Sequence, residues 1–132
     1  MSNSAFPSLW ESVENKNKTI ALWEQLAIRY SDEPWIGGYD LLNETNWELG
    51  NNELRNFYIQ VTDAIREYDD EHIIFIEGNW FANDFSGLTP PWDDNLVYSF
   101  HKYWSYNDTE SIQWVLDIRN QNNVPLWMGE SG

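Results

Sequence analysis

Four short apolar runs, at residues 35–42, 72–76, 96–100 and 124–128, alternate with segments whose apolar residues recur at helical spacing. No other feature constrains the fold as much. Strands separated by helices pair in parallel, through right-handed crossovers. The run 72–76 is continuously apolar and rich in β-branched residues, as in a strand buried on both faces. Paired glycines, Gly37 and Gly38, in the first run would let another backbone or a ligand approach closely.

Three helices fill the intervals. Residues 15–30 place Ile20, Trp23, Ala27 and Tyr30 on one stripe, with Leu26 beside it, and Ser31-Asp32-Glu33-Pro34 stops the run. Residues 1–14 have no period and read as a loop. The second helix starts at Asn51 as cap, with Glu53 in its first turn. Its inward face is Leu54, Phe57, Tyr58, Val61, Ile65 and Tyr68. Asp69-Asp70-Glu71 carries the wrong charge for a helix C-terminus, so fraying is expected there. Residues 77–95, with Gly87, Pro90 and Pro91, read as a long loop, a kind that is usually functional in a compact domain. Asp108 can cap the third helix, which runs to about Gln121 with Ile112, Val115 and Leu116 facing inward.

Every apolar run ends in polar groups: Asn43-Glu44, Glu77 to Asn79, His101 to Tyr103, and Glu130. Polar groups gathered at strand C-termini mark the active face of an α/β barrel, which needs eight strands and typically about 250 residues. A chain of 132 residues has room for about half. The expected fold class is therefore α/β, a partial (β/α)8 barrel forming one unit over residues 1–132.

Charge and composition narrow the function. The chain carries 22 Asp and Glu against 7 Lys and Arg, a formal charge of −15. That charge repels nucleic acid and anionic membrane surfaces, so neither is expected as a partner. There is no cysteine, hence no disulfide, thiolate metal site or thiol nucleophile. His72 and His101 lie in no zinc spacing, and Asp93-Asp94-Asn95 lacks the spacing and glycine of a calcium loop. No metal or cofactor is expected, and no obligate protein partner is evident. The first seven residues have no basic region and no long apolar run, so no signal peptide is expected in this chain. Aromatic residues make up 17%, with nine Trp, more flat side chains than a small core needs. Several should line a groove, where the apolar faces of sugar rings stack on such platforms.

Glu44 and Glu130 could be two surface glutamates at loop starts. Their placement at strand ends, with Asn43 adjacent and Trp47 near, points instead to a carboxyl pair of the kind that cleaves glycosidic bonds. One carboxyl protonates the leaving oxygen and the other attacks the anomeric carbon, about 5–5.5 Å apart. Proximity of the second carboxylate would raise the pKa of the acid. His101 and Tyr103, two positions apart, share one side of a strand end. They read either as core and interface residues or as donors to a carboxylate or sugar hydroxyl.

At these residues the chain resembles glycoside hydrolase family five, the cellulase-type barrels. Leu41-Leu42-Asn43-Glu44 resembles the end of the family's fourth strand, Asn-Glu-Pro, which implies Glu44 as general acid/base and Asn43 at a sugar hydroxyl. Gly129-Glu130-Ser131 resembles the seventh-strand motif and implies Glu130 as nucleophile. His101-Lys102-Tyr103 resembles the sixth-strand His-x-Tyr, whose Tyr orients the nucleophile. Glu77-Gly78-Asn79-Trp80, Asn83-Asp84-Phe85 and Pro90-Pro91-Trp92 look like the family's fifth-strand loop. The resemblance runs from about Pro7 onward and implies strands four to seven, a β-glycan or oligosaccharide substrate, and Trp47, Trp80 and Trp104 as sugar platforms. Thr45 stands where the family has Pro, which relaxes the loop after the acid/base. The family's first three strands and its eighth have no counterpart, so a fragment of a catalytic domain is expected. A full-length protein is expected to be secreted or periplasmic. The rival expectations are a carbohydrate-binding remnant without turnover and a pure interaction domain. The second leaves the two strand-end glutamates unexplained.

Overall fold

The computed structural model describes residues 8–46, 48, 50–103, 106 and 108–132. The elements run in the order α1 (Ser8–Glu11), α2 (Val13–Tyr30), β1 (Gly38–Asp40), α3 (Asn51–Arg66), β2 (Ile73–Glu77), α4 (Asn79–Ala82), β3 (Leu96–Lys102), a 3-10 turn (Glu110–Ile112), α5 (Gln113–Asn122) and β4 (Leu126–Ser131). The four strands form one parallel sheet in the order β1-β2-β3-β4, curled as half of a barrel with helices packed on its outer side. No described helix is long and apolar enough to cross a membrane.

Strand parity assigns the two faces. Residues paired across parallel strands share a face. Tyr39 pairs with Ile74, Ile74 with Leu96, Ile76 with Tyr98, and Tyr98 with Leu126. This set packs under α2, α3 and α5, against Ala27, Leu54, Phe57, Tyr58, Val61, Ile65 and Val115. The alternate set, Asp40, Phe75, Glu77, Val97, Ser99, His101 and Trp127, lies on the inner face. The run 72–76 is accordingly not buried evenly. Ile74 and Ile76 are fully buried under the helices, whereas Ile73 and Phe75 are only partly covered on the inner side.

Several boundaries differ from the sequence reading, each for a local reason. Residues 1–14 are not all loop, since α1 and the start of α2 fall among them. Ser12 caps α2 by accepting from the Asn15 amide, so that helix starts at Val13. Asn51 is the first residue of α3 rather than its cap. Gly50, at φ 101°, turns the chain into the helix, and the Asn51 amide instead donates to Asp84 and Ser86. Tyr68 lies past the helix end and is exposed. Asp69 does not sit in a fraying segment. It is buried and accepts from the Tyr39 hydroxyl and from the amides of Glu71 and His72, forming a tight turn into β2. Of the glycine pair, Gly38 makes the close approach, since a Cβ there would meet the Ile73 carbonyl, while Gly37 faces open space. The first strand contracts to three residues, and β4 extends through Glu130 to Ser131. Asp108 caps the 3-10 turn through the Ser111 amide, and Asn123, at φ 51°, ends α5 in the left-handed conformation.

The stretch 77–95 is a loop with a built interior. It holds the short turn α4, whose Trp80, Phe81 and Ala82 all have positive φ. Anchors rise from α3: Arg55 donates to the Pro90 carbonyl, Thr62 accepts from the Trp92 indole, and Tyr58 stacks on Trp92. Arg66 holds the far end. It is bidentate to Asp93 and donates to the carbonyls of Asp69 and His72. Arg66→Ala is expected to cost about 2–4 kcal/mol in denaturant unfolding, because it strips partners from a largely buried carboxylate and two carbonyls. The Arg66 hydrogen bonds hold the Asp93 carboxyl below the usual range. A folded pKa below the unfolded value contributes stability above that unfolded value and loses it as pH falls through the folded one. The penalty of Arg66→Ala should therefore shrink below about pH 4, the ordinary range of an Asp carboxyl.

Candidate active site

The C-terminal ends of all four strands deliver polar side chains to one end of the sheet. Glu44 follows β1, Glu77 ends β2, His101 lies near the end of β3 with Tyr103 just beyond, and Glu130 lies near the end of β4. A register irregularity between Phe100 and His101 brings His101 opposite Glu130.

His101 is the hub. It is almost completely buried, with Nδ1 2.8 Å from Glu44 Oε1 and 3.6 Å from Glu130 Oε2. Nε2 faces Glu77 Oε1 at 3.2 Å. The Tyr103 hydroxyl donates to Glu130 Oε2 at 2.6 Å. One ligand atom each from Glu44, His101 and Glu130 lie within 4.8 Å of one another. That spacing would admit a cation, but the imidazole and the Tyr103 hydroxyl already occupy these oxygens, and no metal ligands are assigned.

The structure thus brings Glu44, Glu130, His101 and Tyr103 together. Asn43 is exposed beside Glu44. Trp80 is half-exposed on the adjoining loop, at the edge of an open cleft of about 350 Å³ that Asn51, Asn79 and Asp84 also line. Trp47 and Trp104 lie outside the described residues.

The segment carrying Glu44 is held against the β2 loop. Glu44 has φ 44°, a conformation costly for a side-chain-bearing residue. Its amide donates to Glu77 Oε2, the Trp80 amide to the Thr45 carbonyl, and the Phe81 amide to Asn46 Oδ1. These bonds over-determine the turn and fix where the Glu44 carboxyl points.

Two further inner-face carboxylates join the cluster, Asp40 and Glu77. Burial pushes Asp40 up to about 6, against the pull of His101 and with Glu130 raising it further. Burial likewise pushes Glu77 up to about 7, opposed by the Glu44 amide and His101. For His101, burial alone would disfavour the charged ring. The hydrogen bond to Glu44 and the charges of Glu77, Glu130 and Glu44 outweigh it and raise the pKa. The hydrogen bond to Glu130 also raises the Tyr103 phenol.

Neither Asp40 nor Glu77 stands out as a site residue in the sequence. The available signal is parity: with Ile74 and Ile76 against the helices, Glu77 must face inward, as must Ser99 and His101 beside it.

Gly129 is the second feature that the sequence leaves unexplained. A Cβ there would sit 2.8 Å from Ser99 Oγ and 3.2 Å from His101 Nε2. The residue before Glu130 must lack a side chain because the imidazole fills that space. Gly129→Ala is expected to cost about 1–3 kcal/mol by overpacking. It should also shift the His101 ring resonances, whereas an alanine at the open Gly37 should leave them unchanged.

Comparison with known proteins agrees with this architecture. A beta-xylosidase of Phanerodontia chrysosporium is 40% identical over 96 residues, covering 71% of this chain and 20% of its own length. Endoglucanase C of Acetivibrio thermocellus is 30% identical over 126 residues, covering 93% of this chain and 36% of its own length. The chain therefore spans well under half of these curated relatives. Among solved structures, Thermotoga maritima Cel5A in complex with mannotriose superposes with a TM-score of 0.82 at 22% identity, covering 96% of this chain and 52% of that one. Pseudomonas stutzeri endoglucanase Cel5A superposes at 0.74 with 26% identity, covering 89% of this chain and 44% of that one. The family pattern described as Cellulase (glycosyl hydrolase family 5) matches residues 6–132, and the chain belongs to that family.

Proposed function

We propose that this chain supplies the catalytic half of a retaining glycoside hydrolase that cleaves a β-linked glycan. The observation that carries the reading is the proximity of two strand-end carboxyls, Glu44 and Glu130, whose ligating oxygens lie within 4.8 Å. Retaining enzymes hold their two carboxyl groups about 5–5.5 Å apart, whereas inverting ones need about 6.5–9.5 Å to admit a water. Family membership and relatives named as endoglucanases support a glucan-type substrate. No cofactor enters the reaction.

In the proposed first step a Glu130 oxygen attacks the anomeric carbon. The bond from that carbon to the glycosidic oxygen breaks, and the leaving oxygen takes the proton of Glu44. A glycosyl ester on Glu130 results. In the second step Glu44, now a carboxylate, removes a proton from water as its oxygen attacks the same carbon. The ester bond breaks, Glu130 is released as carboxylate, and Glu44 is again protonated. Tyr103, donating to Glu130, fixes the attacking carboxylate in place. On this reading Asn43 and Trp80 meet the sugar, and Trp47 and Trp104 are further candidate platforms.

We further propose that four more strand–helix units close the sheet into an eight-stranded barrel. The test is the product anomer released from a β-linked oligosaccharide by the closed barrel, followed by proton NMR before mutarotation. The β anomer is expected first. First appearance of the α anomer would overturn the reading.

A second reading has support in the exposed inner face. Trp127 on β4 is about half exposed there, and Phe75, with its ring against Trp127, is only partly covered. On that reading the chain by itself binds sugar without turning it over.

A further inference from the structure

Phe81, next to Trp80 on the short turn α4, has no part in the reaction proposed above. It is the more exposed of the two rings, at 58% against 45%, while Ala82 beside it is fully buried. All three residues have positive φ, at 50°, 58° and 61° in chain order. A left-handed backbone is costly for any residue with a side chain, and a succession of them more so. Glycine adopts it freely, so a loop that only had to turn would carry glycine here. This one carries two large rings.

The turn is closed on itself. The Asn79 amide donates to the Asp84 carbonyl and the Asp84 amide to the Asn79 carbonyl, each at 2.8 Å. Asn83 Nδ2 donates to the Phe81 carbonyl at 2.7 Å. Gly78 permits the closure, since a Cβ there would stand 2.9 Å from the Asp84 amide nitrogen. The same turn is fastened to the segment that carries the acid/base. The Trp80 amide donates to the Thr45 carbonyl at 2.8 Å, and the Phe81 amide to Asn46 Oδ1 at 2.9 Å. Thr45 and Asn46 directly follow Glu44 in the chain.

Resting on the proposed role of Glu44, we propose that Phe81, with Trp80, is the platform for the sugar unit that departs with the glycosidic oxygen.

The side of the site follows from the chemistry. Glu44 gives its proton to the leaving oxygen, so the departing sugar lies on the side of Glu44, and the sugar bonded to Glu130 lies on the other. Rings fixed to residues 45 and 46 border the departing sugar. Their exposure is not a product of the open sheet edges. β2 has β1 on one side and β3 on the other, and the turn follows β2 directly. The units that close the barrel add beyond β1 and β4. Trp35, before β1, and Trp127, on β4, lie at those edges instead. The surroundings also suit a sugar, which offers an apolar C–H face and a rim of hydroxyls. The rings meet the face. The cleft at the Trp80 edge meets the rim with Glu48, Asn52 and Asp84, which supply donors and acceptors. Because the hydrogen bonds hold the turn before any ligand arrives, little freedom is lost on binding.

The test uses the closed barrel and cellohexaose, a β-linked glucan. Calorimetric titration into Glu130→Gln reads affinity without turnover. Adding Phe81→Ala is expected to weaken binding about 10-fold, the scale of one lost aromatic contact. Phe81→Tyr keeps the ring and should restore it. Trp35→Ala removes an exposed aromatic at the opposite end of the strands and should leave affinity unchanged.

The second readout is the choice of bond. Cellohexaose labelled with oxygen-18 at its reducing end is cut by the active barrel, and the labelled end departs with the leaving piece. Phe81→Ala should move cleavage toward that end, giving shorter labelled products. A ring that only braced the loop would alter the rate and leave the choice of bond as it was. Unchanged affinity in Phe81→Ala overturns the proposal. So does an unchanged product pattern, or an affinity loss that Phe81→Tyr fails to restore. A closed barrel that binds no cellohexaose overturns the proposed function itself. One that binds it equally with and without Phe81 overturns only the platform, and neither readout depends on which anomer is released.

Discussion

Glu130→Gln in the closed barrel is expected to lower turnover by about 10⁴-fold or more, the scale on which loss of a covalent nucleophile acts. Glycan affinity should change little, because the substitution keeps the shape of the side chain and its hydrogen bond from Tyr103. Glu44→Gln should behave differently. Protonation of the leaving oxygen contributes about 10²–10⁴-fold, and only where the leaving group needs it. The loss should be near that range on oligosaccharides and much smaller on dinitrophenyl glycosides, whose phenolate leaves unaided. Steady-state kinetics on both substrates for each variant checks this. Equal losses with Glu44→Gln would remove Glu44 from the acid role. A Glu130→Gln enzyme that retained a tenth of its activity would remove Glu130 from the nucleophile role.

The 132-residue chain alone is expected to self-associate and to show no measurable hydrolysis. The physical cause is the open sheet. Among the described residues β1 and β4 each have a strand neighbour on one side only, leaving backbone N–H and C=O groups to pair with another copy. The inner face, which a closed barrel fills with layers of side chains, has Trp127 about half exposed and Phe75 only partly covered, its ring against Trp127. Trp35, 92% exposed before β1, adds to the apolar surface. Sedimentation should show mass rising with concentration, and adding the four proposed strand–helix units should yield a monomer. A monodisperse, cooperatively melting, hydrolytic 132-residue chain would contradict both the edge argument and the need for closure.

The architecture was legible because it rests on periodicity. The stripe of Leu54, Phe57, Tyr58, Val61 and Ile65 is the face α3 buries, and the apolar runs are the strands. Less legible were boundaries decided by single hydrogen bonds at a distance. Asn51 looks like a cap, but it ties down Ser86 and Asp84, partners 35 and 33 residues away. Asp69 looks like a fraying end because its charge opposes the helix dipole, yet Tyr39 from β1 makes it the centre of a turn. Glu44, Glu130, His101 and Tyr103 could be named from order along the chain, since strand ends in a parallel sheet converge. Glu77 could not be separated from an ordinary strand-end glutamate, because its significance is that the Glu44 amide and the His101 ring, both from other elements, meet it in a buried place. The left-handed turn at Trp80 and Phe81 was hidden for the opposite reason: local preference argues against it, and only its docking on Thr45 and Asn46 holds it.

The central claim is that Glu130 forms a covalent bond to the sugar while Glu44 handles the proton. The most direct measurement is to trap that bond. The closed barrel is incubated with a 2-deoxy-2-fluoro β-glycoside bearing an activated leaving group, digested, and sequenced by mass spectrometry. The account predicts a single fluoroglycosyl ester, on Glu130, formed at a comparable rate in Glu44→Gln because the leaving group needs no proton. An ester on Glu44 or on Asp40, or inactivation with no ester at all, would contradict it.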